Sequence, residues 1–368
     1  GLLHALKVLE PQKGWDFNDS FTCQTPPCDV ISNSSFPSAP GFTYSVTVEN
    51  DALDIANGGS ASDDTDSLVV LISTANGPND TKRQVQAYVK RSSVDFTTPG
   101  AVYLPASSAN IDFSVANNPG MFITGDDTSY TDSNSDGWAD STEPASPVKQ
   151  VKGVATIADI NGNDPVGDSF KTALISSSLN GLVQGDGYSS PNTPSVSITT
   201  DQIDVNQIAL NLFNHAGTVQ DLDGEHKTCS SSSPCIYGTD ASPQITYIRE
   251  GASHIHLDGY VTGSGVLATE GKTHLYGNFE FHGLVIAVKE GLTTQVPVPE
   301  TVSSDYFSLR NDARVFGAVL LGPKDSALGF EMQDNAKVYY NSDAINLAES
   351  LCGECFPQPP KVFAWIDK

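Results

Sequence analysis

His256-Leu-Asp-Gly259 leads to Gly265-Val-Leu-Ala268, and His274-Leu-Tyr-Gly277 leads to Gly283-Leu-Val-Ile-Ala287. Ser308-Leu-Arg-Asn311 then leads to Gly317-Ala-Val-Leu-Leu321, and Glu331-Met-Gln-Asp334 to Val338-Tyr-Tyr340. Leu257 and Leu275 are 18 residues apart, and an insertion at 290–305 stretches the following unit. A unit this short, with small strands and a Gly or Asn turn, cannot bury its own apolar face. It gains a core only by stacking on its neighbours, which predicts coils of a β-solenoid. An ordinary antiparallel sheet with coincident glycines is the competing reading.

Working outward, Phe42, Tyr44, Val46 and Val48 alternate, residues 68–73 form an apolar run, and Val85, Ala87 and Val89 alternate again. Gly/Asn-rich spacers separate these three, which predicts an antiparallel meander. Leu2, Leu3, Ala5, Leu6, Val8 and Leu9 give one helical face that Pro11 and Gly14 end. Residues 93–200 are rich in Ser, Asn, Asp, Gly and Thr and read as loops held by turns or cations. Residues 201–213 read as the other good helix, with Ile203, Ile208, Leu210 and Phe213 as its core positions. The fold class expected is therefore α+β and β-rich. An N-terminal helix lies on an antiparallel meander (1–95), a loop-rich calcium-stabilised region follows (96–200), and a helix with a β-solenoid-like region closes the chain (201–368).

The 368 residues carry 44 acids against 19 Lys plus Arg, a formal charge of −25. Such a surface repels phosphate backbones and anionic lipid, which argues against nucleic-acid and peripheral membrane binding. With 31 Gly and 22 Pro the chain turns too often for a coiled coil or long bundle. The six cysteines fall into close pairs, Cys23/Cys28, Cys229/Cys235 and Cys352/Cys355. Near-neighbour disulfides close the shortest loops and place the chain in an oxidising compartment. Zinc held by Cys352-Gly-Glu-Cys355 with a second pair, or free thiols, are the alternatives. No apolar run reaches membrane-span length. A targeting segment ahead of Gly1 is expected for an exported chain of this kind.

The sharpest motif is Asp132-Ser-Asn134-Ser-Asp136-Gly137-Trp138-Ala-Asp140-Ser-Thr-Glu143. Its spacing fits the twelve-residue calcium loop: oxygens from Asp132, Asn134 and Asp136, a turn glycine, the Trp138 carbonyl, Asp140, and a bidentate Glu143. Pro144 and Pro147 follow, so the loop is not flanked by helices. A solvated acidic turn is the plain alternative. Asp159-Ile-Asn161-Gly-Asn163-Asp164 is a weaker second candidate, and the Asp54–Asp66 stretch, with Asp63, Asp64 and Asp66, reads as a solvated hairpin tip. His254, His256, His274 and His282 fall close together and suggest strand-surface histidines or a transition-metal site. Nucleophile-elbow, P-loop and dinucleotide fingerprints are missing. A β-helix lyase would draw acid and base from Asp258, Asp312 and Arg310 or Arg314.

Several stretches in order resemble one family. Gly1-Leu-Leu-His-Ala-Leu-Lys-Val-Leu9 is similar to the end of the first helix of PilX-type minor pilins. Gly41–Val48, Val69–Thr74 and Arg83–Val89 resemble the strands that follow, and 263–288, Val315–Leu321 and Asn335–Ile345 resemble the closing segments. The apolar N-terminal span with its acidic residue, which a pilin needs, is not in this sequence. The resemblance implies a non-enzymatic, extracellular type IV pilus subunit at the cell surface, to which the Asp132–Glu143 spacing adds stabilisation by Ca2+. Its partners would be other pilin subunits and a pilus-tip adhesin, its assembly a homo-oligomer or filament, and its only membrane contact an upstream segment. Leu2, Leu6 and Leu9 would form the assembly face of the first helix. A free-standing calcium-dependent adhesin and a β-helix carbohydrate-active enzyme are the alternative readings.

Overall fold

A computed structural model describes residues 1–12, 17–21, 23, 25–36, 39–57, 59–65, 68–91, 96–106, 108–114, 120–133, 138–144, 149–159, 161–176, 182–190, 193–199, 203–224, 227–251, 254–289, 291–293, 306–322, 327–356 and 360–367. The protein is α+β and β-rich, with a short N-terminal helix and an antiparallel sheet. Two compact units are present, Gly1–Asp95 with Phe356–Lys368, and Phe96–Cys355. Among the described residues no helix is long and apolar enough to cross a membrane.

In the first unit, helix α1 (Leu2–Gln12) packs on strands β1 (Cys28–Ser35), β2 (Thr43–Asn50), β3 (Leu68–Asn76) and β4 (Lys82–Arg91). The chain's last strand, Pro360–Asp367, adds to β4, so the antiparallel order is β1-β2-β3-β4-last strand. The period-2 patterns of β2 and β4 put Val46, Val48, Ala87 and Val89 on the helix side, where they are fully buried with Val69 and Leu71. From α1, Ala5 and Leu9 enter this core, so Leu9 packs within its own unit and not on the assembly face expected of it, while Leu2, Leu6 and Val8 pack at its margin. Leu9→Ala would cost about 2–5 kcal/mol by cavity formation. The buried Arg91 guanidinium lies over the Phe17 ring at 4.6 Å, and its Nη2 donates to the Leu9 carbonyl at 3.5 Å. The hairpin-tip reading of the acidic stretch is corrected at Asp54, the buried residue of the short helix α2 (Ala52–Ala56). Its carboxylate accepts from Asn50 Nδ2 at 2.8 Å, the Thr65 amide at 3.0 Å and the Thr65 hydroxyl. Those hydrogen bonds, led by Thr65, hold its pKa below the usual carboxylate range.

The second unit opens with β5 (Gly100–Leu104), β6 (Ser108–Ser114), β7 (Phe122–Thr124), β8 (Thr128–Thr131), β9 (Ser141–Pro144), β10 (Lys152–Thr156), α3 (Pro165–Ser176), β11 (Val183–Gln184) and β12 (Val196–Ile198). It continues with α4 (Val205–Asn214), β13 (Val219–Gly224), β14 (Lys227–Cys229), β15 (Cys235–Tyr237), β16 (Gln244–Glu250), β17 (Ile255–Gly259), β18 (Val261–Glu270), β19 (Thr273–Tyr276) and β20 (Phe279–Val288). The last elements are β21 (Phe307–Leu309), β22 (Arg314–Gly322), β23 (Ala327–Gln333), β24 (Lys337–Tyr340) and α5 (Ser342–Leu351). From β17 onward consecutive strands alternate between two parallel sheets, β14-β17-β19-β21-β23-β6 and β11-β7-β24-β22-β20-β18-β16-β13. Both faces of these strands are covered, which is why Val266–Ala268 of β18 and Leu284–Val288 of β20 read as continuous apolar runs and not as alternating ones.

Gly265, Gly283 and Gly317 stand in one register column with φ of +111°, +141° and +143°. The ladder forks there: β18 pairs with β15 before its glycine and with β16 from it onward. Likewise β22 pairs with β24 up to Gly317 and with β5 beyond it. The glycines thus mark the line where one broad sheet divides into two faces. Only a residue without Cβ takes this backbone so close to the next strand.

Residues 96–200, read from the sequence as loops, supply strands to the same sheets. β6 pairs with β23 along its whole length, β5 and β10 extend the ladder beyond β22, and β7 pairs with β24. β5 buries the short run Ala101–Leu104 and β10 buries Val154 and Ala155, while β6 and β7 bury Phe113 and Ile123 among polar or half-buried neighbours. Runs that short carry little sequence signal. Two helices of the second unit were also not foreseen. Helix α3 seats Phe170 against Phe113 (4.9 Å) and Phe330 (5.9 Å). Helix α5 starts at Asn341, whose side chain accepts from the Ala344 amide at 2.6 Å. The helix expected at 201–213 is α4. Asp204 caps it by accepting from the Gln207 amide, and its buried face is Val205, Ile208, Ala209 and Leu212, not the expected Leu210 and Phe213.

Candidate functional site

The described parts of the calcium-pattern segment, Asp132–Ser133 and Trp138–Glu143, follow β8 and run into β9, which pair as a hairpin. β8 and β9 pair antiparallel with Thr131 opposite Ser141, and the Asp140 amide donates to the Thr131 carbonyl at 2.8 Å. The Ser133 amide donates to Asp140 Oδ2 at 2.9 Å. Asp132 and Trp138 are half-buried, Asp140 and Glu143 exposed, and Glu143 sits on β9 opposite Ser129. Asn134, Asp136 and Gly137 lie outside the described residues. Of the second candidate, Asp159 accepts from the Asn161 and Asn163 amides at 2.8 Å. Asp164 accepts from the Gly167 amide at 2.9 Å and from Thr156 Oγ1 at 2.7 Å. These carboxylates serve a turn and the start of α3.

What holds the hairpin is a charged cluster on β20 and β22. Glu280 is fully buried, and register places it beside Arg314, whose Nη2 is 2.6 Å from Glu280 Oε2. The other Glu280 oxygen accepts from the Ala139 amide at the hairpin tip and lies 3.0 Å from His282 Nε2. Arg314 Nη1 in turn donates to the Ala139 carbonyl at 3.3 Å. His282 Nδ1 is 3.1 Å from Asp240 Oδ1, and the Tyr130 hydroxyl donates to Asp240 Oδ2 at 2.8 Å. The Tyr130 ring lies on His282 with centroids 4.0 Å apart. Both peptide groups of Ala139 are therefore read by opposite charges from adjacent strands, which fixes the tip to the sheet.

Electrostatics follow from this arrangement. Burial alone pulls the His282 pKa down, but hydrogen bonds to Asp240 and Glu280 and their charge outweigh it, so the net shift is upward. Burial pushes Asp240 up, yet the His282 hydrogen bond and charge, then Tyr130, bring it down to about 2. Burial and the Asp240 hydrogen bond drive the Tyr130 phenol strongly upward, so it stays protonated as a donor. Glu280, Tyr130 and Asp240 were not singled out from the sequence. The available signal was a lone acid in the otherwise apolar run Phe279–Val288.

The remaining candidates separate. His256 and His274 are register partners stacked at 4.4 Å, with His254 stacked on His274 at 6.2 Å, whereas His282 belongs to the hairpin clamp on the other sheet. Arg310 pairs with buried Glu331, donating through Nε at 2.9 Å, while Arg314 pairs with Glu280. Asp312 accepts from Asn335 Nδ2 at 3.0 Å. Cys23–Cys28, Cys229–Cys235 and Cys352–Cys355 are disulfide-bonded. Among the described residues, His215, Cys352 and Cys355 bring metal-ligating atoms within 4.8 Å of one another. The disulfide consumes both sulfurs, so this group lacks the thiolates a metal needs.

No protein-family model matches the sequence, and no curated protein does. Among solved structures, the chain is similar to the competence-associated pilin ComZ from Thermus thermophilus. Identity is 10%, 93% of this chain and 87% of that chain are covered, and the TM-score is 0.31.

Proposed function

We propose that the protein is a non-enzymatic, surface-displayed subunit of a pilin-like filament. In this reading the first unit docks through α1, the alternating parallel strands are the coils of a β-solenoid displayed outward, and calcium orders the β8–β9 tip. The observation that carries the reading is the division of α1. Ala5 and Leu9 are fully buried on the sheet, yet Leu3 is 77% exposed on the same short helix. Leu2 and Leu6 are only partly buried beside it, so the first two turns carry adjoining apolar surface that a neighbour could cover. Three disulfides support an oxidising, extracellular setting.

The test compares Leu3→Asp with Leu9→Asp. Leu3→Asp is expected to leave thermal unfolding unchanged and to abolish co-purification with surface filaments, whereas Leu9→Asp unfolds the first unit. Normal incorporation of a folded Leu3→Asp protein would remove the filament reading.

A further inference from the structure

The β8–β9 hairpin is flanked by two clefts built to one recipe. The first, of about 460 Å3, lies between Trp138 at the hairpin tip and the corner residues Asn278, Asp312 and Asn335. Arg314 and Lys337 complete its lining. These corner residues are stacked: Asn278, Asp312 and Asn335 each stand two positions before Glu280, Arg314 and Lys337, which are in register on β20, β22 and β24. The second cleft, of about 330 Å3, is lined by Tyr339, Phe122, Asp126, Gln150 and Lys149, with Glu143 at its rim. Both volumes fall in the range of small-molecule sites. They meet across the β24–β7 ladder, where Lys337 of the first cleft is the register partner of Phe122 of the second.

Each cleft joins an aromatic ring, a carboxylate already bonded to an amide, and a lysine. In the first these are Trp138, Asp312 with Asn335 Nδ2 at 3.0 Å, and Lys337. In the second they are Tyr339, Asp126 with Gln150 Nε2 at 2.6 Å, and Lys149. The rings are supported: Trp138 meets Tyr260 edge-on at 6.0 Å, and Tyr339 stacks on Phe316 at 5.0 Å. A carboxylate locked by an amide presents its second oxygen, and the amide its carbonyl, at a fixed spacing as acceptors for hydroxyl groups. The lysine donates to ring or hydroxyl oxygens, and an aromatic face takes the C–H side of a pyranose. Charge selects among sugars. Arg314 is neutralised by Glu280, Asp312 offsets Lys337, and the second cleft is acidic, so a polyanionic glycan is repelled here as it is by the whole chain at −25. We propose that the paired clefts bind a neutral oligosaccharide that runs along the β22-β24-β7 rows past the hairpin.

The experiment is calorimetric titration of the intact protein with cellohexaose, mannohexaose, laminarihexaose and chitohexaose, with a hyaluronan octasaccharide as the anionic counterpart. Binding of one neutral glycan is expected with a Kd of about 0.1–1 mM, the range of weak single-site recognition. Trp138→Ala and Gln150→Ala, one per cleft, should each weaken it roughly 10-fold or more. Asp312→Asn and Lys149→Ala, which preserve shape or lie on the surface, repeat the comparison if either first variant unfolds. No binding by any of the four neutral glycans at about 10 mM overturns the proposal. So does preference for the hyaluronan fragment, or neutral-glycan binding that all the folded variants retain. Filament incorporation is read separately, so this outcome is independent of the role proposed for α1.

Discussion

Gly283 and Gly317 are register partners on neighbouring parallel strands, and a Cβ added to Gly317 would stand 1.9 Å from the Gly283 carbonyl oxygen. The same clash recurs one strand earlier, where a Gly283 Cβ would lie 2.0 Å from the Gly265 oxygen. The obstacle is backbone and cannot swing aside. At φ +143° the residue also lies in a region essentially closed to L side chains. Gly317→Ala should therefore cost more than about 3 kcal/mol in urea unfolding, combining strain with displaced ladder bonds. Gly162→Ala is the control: its φ is +83°, but nothing lies within 4 Å of an added Cβ. It should cost only about 1 kcal/mol. Equal costs at the two positions would show that the glycine column does not set the fork.

Removing the charge that grips the hairpin should loosen it selectively. Glu280 is fully buried, while the Arg314 side chain is 30% exposed and can still reach water. Glu280→Gln should therefore cost about 2–3 kcal/mol, below the usual range for a fully buried pair. The Ala139 amide, which donates to Glu280, is the reporter. Its hydrogen exchange should accelerate by about 10–100-fold, while amides of β20 stay protected. Combining Glu280→Gln with Arg314→Met should cost less than the sum of the single changes. Uniform acceleration across both sheets would instead mean that Glu280 supports the core and not the hairpin.

The clamp also has a pH window. His282 has a raised pKa in the folded protein, so its contribution is fully present below its unfolded value of about 6.5 and is lost as pH rises through the folded value. Asp240, brought down to about 2, contributes above its unfolded value of 3.8 and loses that contribution as pH falls toward 2. Both act together between about pH 4 and 6.5. The Tm difference between the native protein and His282→Gln should be largest there and shrink on the alkaline side. A difference independent of pH would mean that His282 acts through its packing on Tyr130 alone.

How far the sequence exposed this design depended on how many residues each feature spans. The glycine-led apolar runs at 265, 283 and 317 recur, so their stacking was readable, and β2, β3 and β4 lie where alternating or continuous apolar runs placed them. Near-neighbour cysteine pairing followed from loop length. The strands of 96–200 were hidden because Ile123 or Val154 has too few apolar neighbours to show a period. The clamp was hidden because Glu280, Asp240 and Tyr130 are far apart in the chain and meet only through side-chain contacts around His282. Asp54 misled because an acid among acids looks solvated, although Asn50 and Thr65 enclose it.

Calcium should stabilise the protein through the hairpin tip. Asp132 and Asp140 stand at the two ends of the tip, and the Ser133 amide donates to Asp140 Oδ2, so this carboxylate is already turned toward the chain entering the tip. Extracellular sites of this ligand pattern bind with Kd of about 10⁻⁴–10⁻³ M. At about 10 mM calcium, binding to the native state alone would then add roughly 1.4–2.7 kcal/mol. That is a rise of several degrees in Tm, which magnesium should not reproduce because it requires tighter octahedral geometry. Asp136→Ala with Glu143→Ala removes one tip ligand and the expected bidentate one, and should abolish the rise without lowering the calcium-free Tm by more than about 1 kcal/mol equivalent, as expected of surface substitutions. A calcium response that persists in this double variant would place the ion elsewhere, and the Asp159–Asp164 turn would be the next segment to substitute.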